Sequence, residues 1–189
     1  KLIGPRIIAA NTAISVPGGH FAGSMAIAVK SPEEAKKLVR QIAETKPDII
    51  KLMITGGVMD SDAEGIPGML KMPPEIVKAA CDGAHRRGDV GAADVEGAEG
   101  IKVALENDVD TIEHGAKLSD EMIKLFKKRK AAVICTLSPA IPYAKFKLEE
   151  SHATEIAKKN GQIVLEGIID CAKTCVENDI PLGLGSDVS

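Results

Sequence analysis

The sequence contains no tryptophan and a single tyrosine, and aromatic residues make up only 2% of its 189 positions. That argues against the stacked aromatic platforms that single-stranded nucleic acids need. There is no excess of lysine and arginine either. The net charge is −3, so the electrostatic footprint of a nucleic-acid binder is missing. No long apolar run suggests a membrane span, and no signal-like start is present. No Cys-x-x-Cys pair occurs among Cys81, Cys135, Cys171 and Cys175. The expectation is reduced, half-buried thiols in a cytoplasmic protein rather than a disulfide framework or a zinc knuckle. Short repeats and low-complexity stretches are absent.

What is present is alternation. With 44% apolar and 27% charged residues, the chain has the balance of a globular protein of about one domain. Short apolar runs near residues 6–10, 48–54, 89–94, 109–113, 131–137 and 180–186 read as strands. Amphipathic stretches between them read as helices, and the residues after the first strand read as a glycine-rich loop. Ser31, Pro32 and Glu34 form a capping box that opens one helix, followed by Ala35, Leu38, Val39 and Ile42 at helical spacing. Six near-continuous apolar strands separated by helical crossovers indicate an α/β fold with a parallel sheet.

The polar residues choose between a doubly wound sheet and a (β/α)8 barrel. Lys51, Asp94, His114 and Asp187 each fall at the C-terminal end of a different strand. Chemistry spread over several strand ends is the habit of the TIM barrel. The loop "SVPGGHFAGS" lacks the Gly-x-Gly-x-x-Gly order that a dinucleotide-binding sheet places after its first strand. Six strands are fewer than eight, and both ends of the chain look cut. The expectation for 1–189 is therefore a partial barrel carrying strands three to eight, its first strands and final helix lying outside. Such an arc exposes sheet edges, so a homo-oligomer is also expected.

Each polar residue has an ordinary reading. A strand-end histidine such as His114 is often a hydrogen-bonded structural residue. A lysine can extend its amine to water, and an aspartate such as Asp187 can cap a following helix. Lys51, however, lies inside "DIIKLMIT", where an uncompensated charge is costly. Such a lysine needs a purpose, whether Schiff-base chemistry, a phosphate partner or carbamylation. Lysine, histidine and aspartate converging on one barrel face suit a hard, oxygen- and nitrogen-rich metal site.

With these residues in place, "IKLMITGGV", "VEGAEGIKVALENDVDTIEHG" and "GLGSD" resemble the metal-dependent amidohydrolase superfamily, in its imidazolonepropionase-related and Xaa-Pro dipeptidase-like branch. The resemblance implies a hydrolase of amide or peptide bonds, a dipeptidase or carboxypeptidase-like enzyme that uses metal-activated water on a small-molecule or dipeptide substrate. Lys51 would be a carbamylated ligand bridging two zinc ions, His114 a zinc ligand, and Asp187 both ligand and proton acceptor. Two departures stand out. The family's His-x-His pair is absent, and Asp94 stands where the family has a histidine. The 189-residue chain is therefore expected to hold at most one weakly bound divalent ion. Alternatives are an inactive barrel of the same ancestry and a Schiff-base lyase using Lys51. His20 is open between substrate contact and loop packing, and Tyr143 between substrate contact and covering the barrel mouth.

Overall fold

A computed structural model describes residues 4–60 and 65–187. Seven strands form one sheet in the order β2-β1-β3-β4-β5-β6-β7, with every neighbouring pair parallel. They are β1 (Ala13–Ser15), β2 (Ala26–Ala28), β3 (Ile49–Met53), β4 (Val90–Val95), β5 (Thr111–His114), β6 (Ala132–Cys135) and β7 (Leu182–Leu184). The sheet does not close on itself. It is a partial barrel, and from β3 onward its strands lie in sequence order, as a barrel requires.

The start of the chain corrects the sequence reading. No strand forms at residues 6–10; the presumed loop supplies β1, and β2 follows directly after it. Ile7 and Ile8 remain 76% and 62% exposed, because no strand pairs with them on that side. An apolar run becomes a strand only where a neighbour takes its backbone hydrogen bonds.

The crossover helices follow their sequence signals. Helix α1 (Pro32–Glu44) is capped by Ser31, whose hydroxyl accepts the Glu34 N–H at 3.2 Å. The Glu34 carboxylate reaches back to the Lys30 N–H at 2.8 Å, one residue earlier than a strict capping box would have it. Helices α2 (Pro74–His85), α3 (Ala98–Glu106) and α4 (Asp120–Arg129) follow in turn. After β6 come two short helices, α5 (Ala140–Lys145) and α6 (Leu148–Ser151), before the long α7 (Glu155–Glu177). His152 closes α6. Among the described residues, no helix is long and apolar enough to cross a membrane.

Strand alternation divides the sheet into two faces. Ile14, Ile50, Leu52, Ile54, Ala93, Val95, Ile112, Val133 and Cys135 point to the helices and join the main core. On the concave face, Ala13, Ala26 and Met53 make only a small second cluster. Beside them, Lys51, Asp94, Thr111 and Glu113 gather on that same face. The arc is therefore apolar behind and polar within.

The sheet ends at β2 on one side and at β7 on the other, where Leu184 is 87% exposed. Open parallel edges beside exposed apolar side chains favour association. The 189-residue chain on its own should therefore self-associate in sedimentation experiments, and Leu184→Lys should shift it toward monomer. A wild-type chain that stays monomeric at every accessible concentration would contradict this.

Candidate active site

Three strands build the centre of the site. In β3, Lys51 sits between the core residues Ile50 and Leu52, so its side chain rises on the concave face. Asp94 does the same between Ala93 and Val95 in β4, directly opposite Glu113 of β5 in the sheet register. Lys51 Nζ reaches Glu113 Oε2 at 2.9 Å and Asp94 Oδ2 at 3.2 Å. Thr111 donates its hydroxyl to the other Glu113 oxygen at 2.8 Å. Glu113 thus belongs to the site, although by sequence it is merely the polar residue before His114.

His114 arrives differently. Simple alternation would turn it with Ile112 toward the helices. Its backbone instead adopts a left-handed φ of 74°, followed by Gly115 at 105°. A non-glycine residue held there stores local strain, on the order of 1–3 kcal/mol. The result is a ring on the concave side, with Nε2 3.0 Å from Asp94 Oδ2 and Nδ1 2.5 Å from the Thr136 hydroxyl. Gly115 has a second constraint, since a Cβ there would lie 2.9 Å from Cys171 Sγ. His114 and Asp94 are both buried.

The electrostatics follow from this contact set. Burial alone would push the Asp94 carboxyl up. The hydrogen bond and charge of His114, with Lys51 and His20 behind them, outweigh it and hold Asp94 well below the usual carboxylate range. Burial opposes the charged form of Lys51, yet Asp94 and Glu113 raise its pKa above the ordinary lysine value. His114 is likewise raised, burial being outweighed by Asp94 and Glu96. The cluster is a mutually neutralising group of ions.

Glu96, two residues beyond Asp94, is the exception. Among the described residues its Oε2 is the one buried side-chain oxygen or nitrogen without a hydrogen-bond partner. Burial pushes its carboxyl up to about 7. It borders a cavity of about 520 Å3, also lined by Pro67, Lys117, Glu166 and Asp170.

The remaining expected residues are placed as follows. His20 lies in the loop between β1 and β2 and contacts Asp60 through Nδ1. Its charge also acts on Asp94 and Glu96. Tyr143 is part of the α5–α7 seam, so close that a Cβ on Gly161 would sit 2.4 Å from Tyr143 Cβ. Asp187, just past β7, is exposed with a left-handed φ of 47°. Among the described residues it makes no hydrogen bond or ion pair with Lys51, Asp94 or His114. The four cysteines are free and buried, and burial raises Cys81 to about 12.

Among the described residues, no group of three histidine, cysteine or carboxylate side chains is close enough to hold a divalent ion. Asp94 and His114 point at each other, and Lys51 fills the space between the two carboxylates. In this arrangement the described residues do not by themselves fit a metal.

No protein-family model matches the chain. Solved structures do. A Bifidobacterium longum protein assigned as a prolidase superposes with a TM-score of 0.88 at 34% identity, covering 99% of this chain and 46% of the other. A Xaa-Pro dipeptidase with bound methionine in its active site superposes at 0.84 with 29% identity, covering 99% and 49%. The structural neighbours of this chain are amidohydrolases. The ochratoxinase of Aspergillus niger is 30% identical over 122 residues, or 65% of this chain and 25% of that protein. This amidohydrolase-like chain thus spans about half the length of the solved structures it matches, and its arc of parallel strands has their fold.

Proposed function

We propose that this amidohydrolase-like chain forms the strand-end portion of a metal-dependent hydrolase of amide bonds, a dipeptidase or related carboxypeptidase. One observation carries the reading: Lys51, rising from the middle of β3, meets Asp94 and His114 at the C-terminal ends of the adjacent parallel strands β4 and β5, where barrel enzymes place their chemistry. The likeness to a protein assigned as a prolidase and to a Xaa-Pro dipeptidase supports the substrate class.

Asp94 and His114 are the candidate donors, and their mutual hydrogen bond would have to open for either to meet an ion. A carbamylated Lys51 and a reoriented Asp187 would complete the set, with zinc the ion such mixed nitrogen and oxygen donors suit. Carbamylation would exchange a positive charge for a negative one beside Asp94 and Glu113, which only a cation could balance. A divalent ion bound there would supply an acidified water and a polarised carbonyl. For their part, Thr136 fixes the His114 ring through Nδ1, and Glu113 positions the Lys51 side chain.

The Schiff-base reading is weaker. A lysine nucleophile needs a lowered pKa, whereas the carboxylates around Lys51 raise it. The inactive-barrel reading keeps one observation in its favour, the incomplete donor set.

Metal analysis after dialysis, run beside a dipeptide hydrolysis assay, tests the proposal. The 189-residue chain should retain at most one divalent ion and show no turnover. The protein as the cell makes it should hydrolyse dipeptides and stop when a chelator is added. His114→Ala should lower its kcat/KM by about 100-fold or more, since even residues supporting metal ligands cost about 10–100-fold. Two tightly held zinc ions on the 189-residue chain, or turnover by it, would overturn the assignment of site residues.

A further inference from the structure

His20 is held more firmly than loop packing requires. Its own carbonyl accepts a hydrogen bond from the Ser15 hydroxyl at 2.9 Å. Its ring contacts Phe21, with centroids 4.0 Å apart. Its Nδ1 meets Asp60 Oδ2, and that same oxygen accepts the Gly57 N–H at 2.9 Å. Gly57 also provides clearance, because a Cβ there would lie 3.1 Å from His20 Cε1. The segment that follows β3, from Gly57 through the 3-10 turn Val58–Asp60, thus meets the imidazole, while Ser15 at the end of β1 holds the backbone of the same residue.

A carboxylate is an acceptor only, so Nδ1–H donates to Asp60 and the neutral ring is held in the Nδ1-protonated tautomer. Nε2 is then left with its lone pair, and it has no hydrogen bond among the described residues. The ring lies near enough to Asp94 and Glu96 to interact with both electrostatically, which places it beside the site. The backbone N–H of Gly57 anchors Asp60 in turn, so the ring orientation is set from behind, as supporting carboxylates set histidines in other active sites.

We infer that Asp60 is a positioning residue, which holds His20 so that Nε2 accepts a hydrogen bond from an N–H or ammonium group of a peptide-like substrate. The substrate half of this inference rests on the proposed function. The tautomer half does not.

The test is nitrogen NMR of the histidine-labelled protein as the cell makes it, with chelator, at a pH well above the ordinary histidine value of about 6.5. The His20 signals are assigned by their loss in His20→Gln. The expected result is a protonated Nδ1 and an unprotonated Nε2 in the wild type. Asp60→Ala should shift the population toward protonated Nε2, and Asp60→Glu should restore the original tautomer. Gly57→Ala, which presses on Cε1 and leaves every charge in place, should weaken the same preference and serves if Asp60→Ala does not fold. Glycylglycine should then shift Nε2 in the wild type and not in Asp60→Ala. A wild-type ring protonated at Nε2, or one indifferent to Asp60, overturns the inference whatever the protein's activity. The expected tautomer with an Nε2 that ignores glycylglycine overturns the substrate half alone. Loss of dipeptide hydrolysis as an activity would instead be seen in the assay above, with the tautomer unchanged.

Discussion

Replacing Lys51 by methionine should destabilise the metal-free protein by about 3–5 kcal/mol, the usual cost of removing one partner from a buried ion pair. Lys51 is 18% exposed in its side chain, and the two carboxylates it joins are 11% and 19% exposed. Methionine fills nearly the same volume, so the loss isolates charge from packing. Without the ammonium, Asp94 and Glu113 face each other across neighbouring strands with like charges, and His114, with His20 farther off, remains to offset them. A second substitution, Glu113→Gln, should recover part of the loss, because it removes one of the two stranded charges. Urea unfolding at neutral pH with chelator present measures both. A loss below about 1 kcal/mol would place Lys51 among weakly coupled surface ions and remove it from the centre of the site.

That cluster was only partly legible in the sequence. Lys51, Asp94 and His114 stood out because each interrupts or ends an apolar run, where a polar side chain has to be explained. Glu113 did not, because its meaning depends on register: it lies opposite Asp94 only once β4 and β5 are aligned. The inward turn of His114 depends on a left-handed backbone that no alternation pattern encodes. Asp60 is one acid among several in its loop, and Glu96 stands beside the start of a helix, so neither carries a signal of its own in the sequence. The strand order from β3 to β7 was readable because parallel crossovers leave regular helices between apolar runs. β1 and β2 were not, since three-residue strands carry too little pattern and Ile7 and Ile8 imitate one. Asp187, which its sequence context suggests for the site, is exposed just past the edge strand β7 and enters the site only under the proposed function.

The metal-free protein should be most stable at mildly acidic pH and lose about 3 kcal/mol as the pH rises from roughly 4.5 to 7, with Glu96 as the cause. Burial of Glu96 raises its carboxyl from the ordinary 4.5 to about 7, against the pull of the His114 and His20 charges and the Val58 backbone hydrogen bond. Within that window the folded state keeps a proton that the unfolded chain has released. Stability therefore falls with rising pH until the folded carboxyl also ionises, and is constant with respect to Glu96 above that. His114 acts in the same direction at higher pH. Its folded pKa is raised, so its contribution is full below the ordinary value of 6.5 and is lost above it. Asp94 acts at the other end. Its folded pKa is depressed, so its contribution is present above the ordinary 3.8 and is lost as the pH falls further. Glu96→Gln separates these effects, because it removes the ionisation and leaves His114 and Asp94 in place. The variant should match wild type near pH 5 to within about 1 kcal/mol and exceed it by about 3 kcal/mol near pH 8, as a carboxyl raised from 4.5 to about 7 requires. Urea midpoints at those two pH values, with chelator in both, provide the comparison. Parallel pH profiles for wild type and Glu96→Gln would mean that water or another group reaches Oε2 in solution, and that Glu96 holds no buried proton at the mouth of the site.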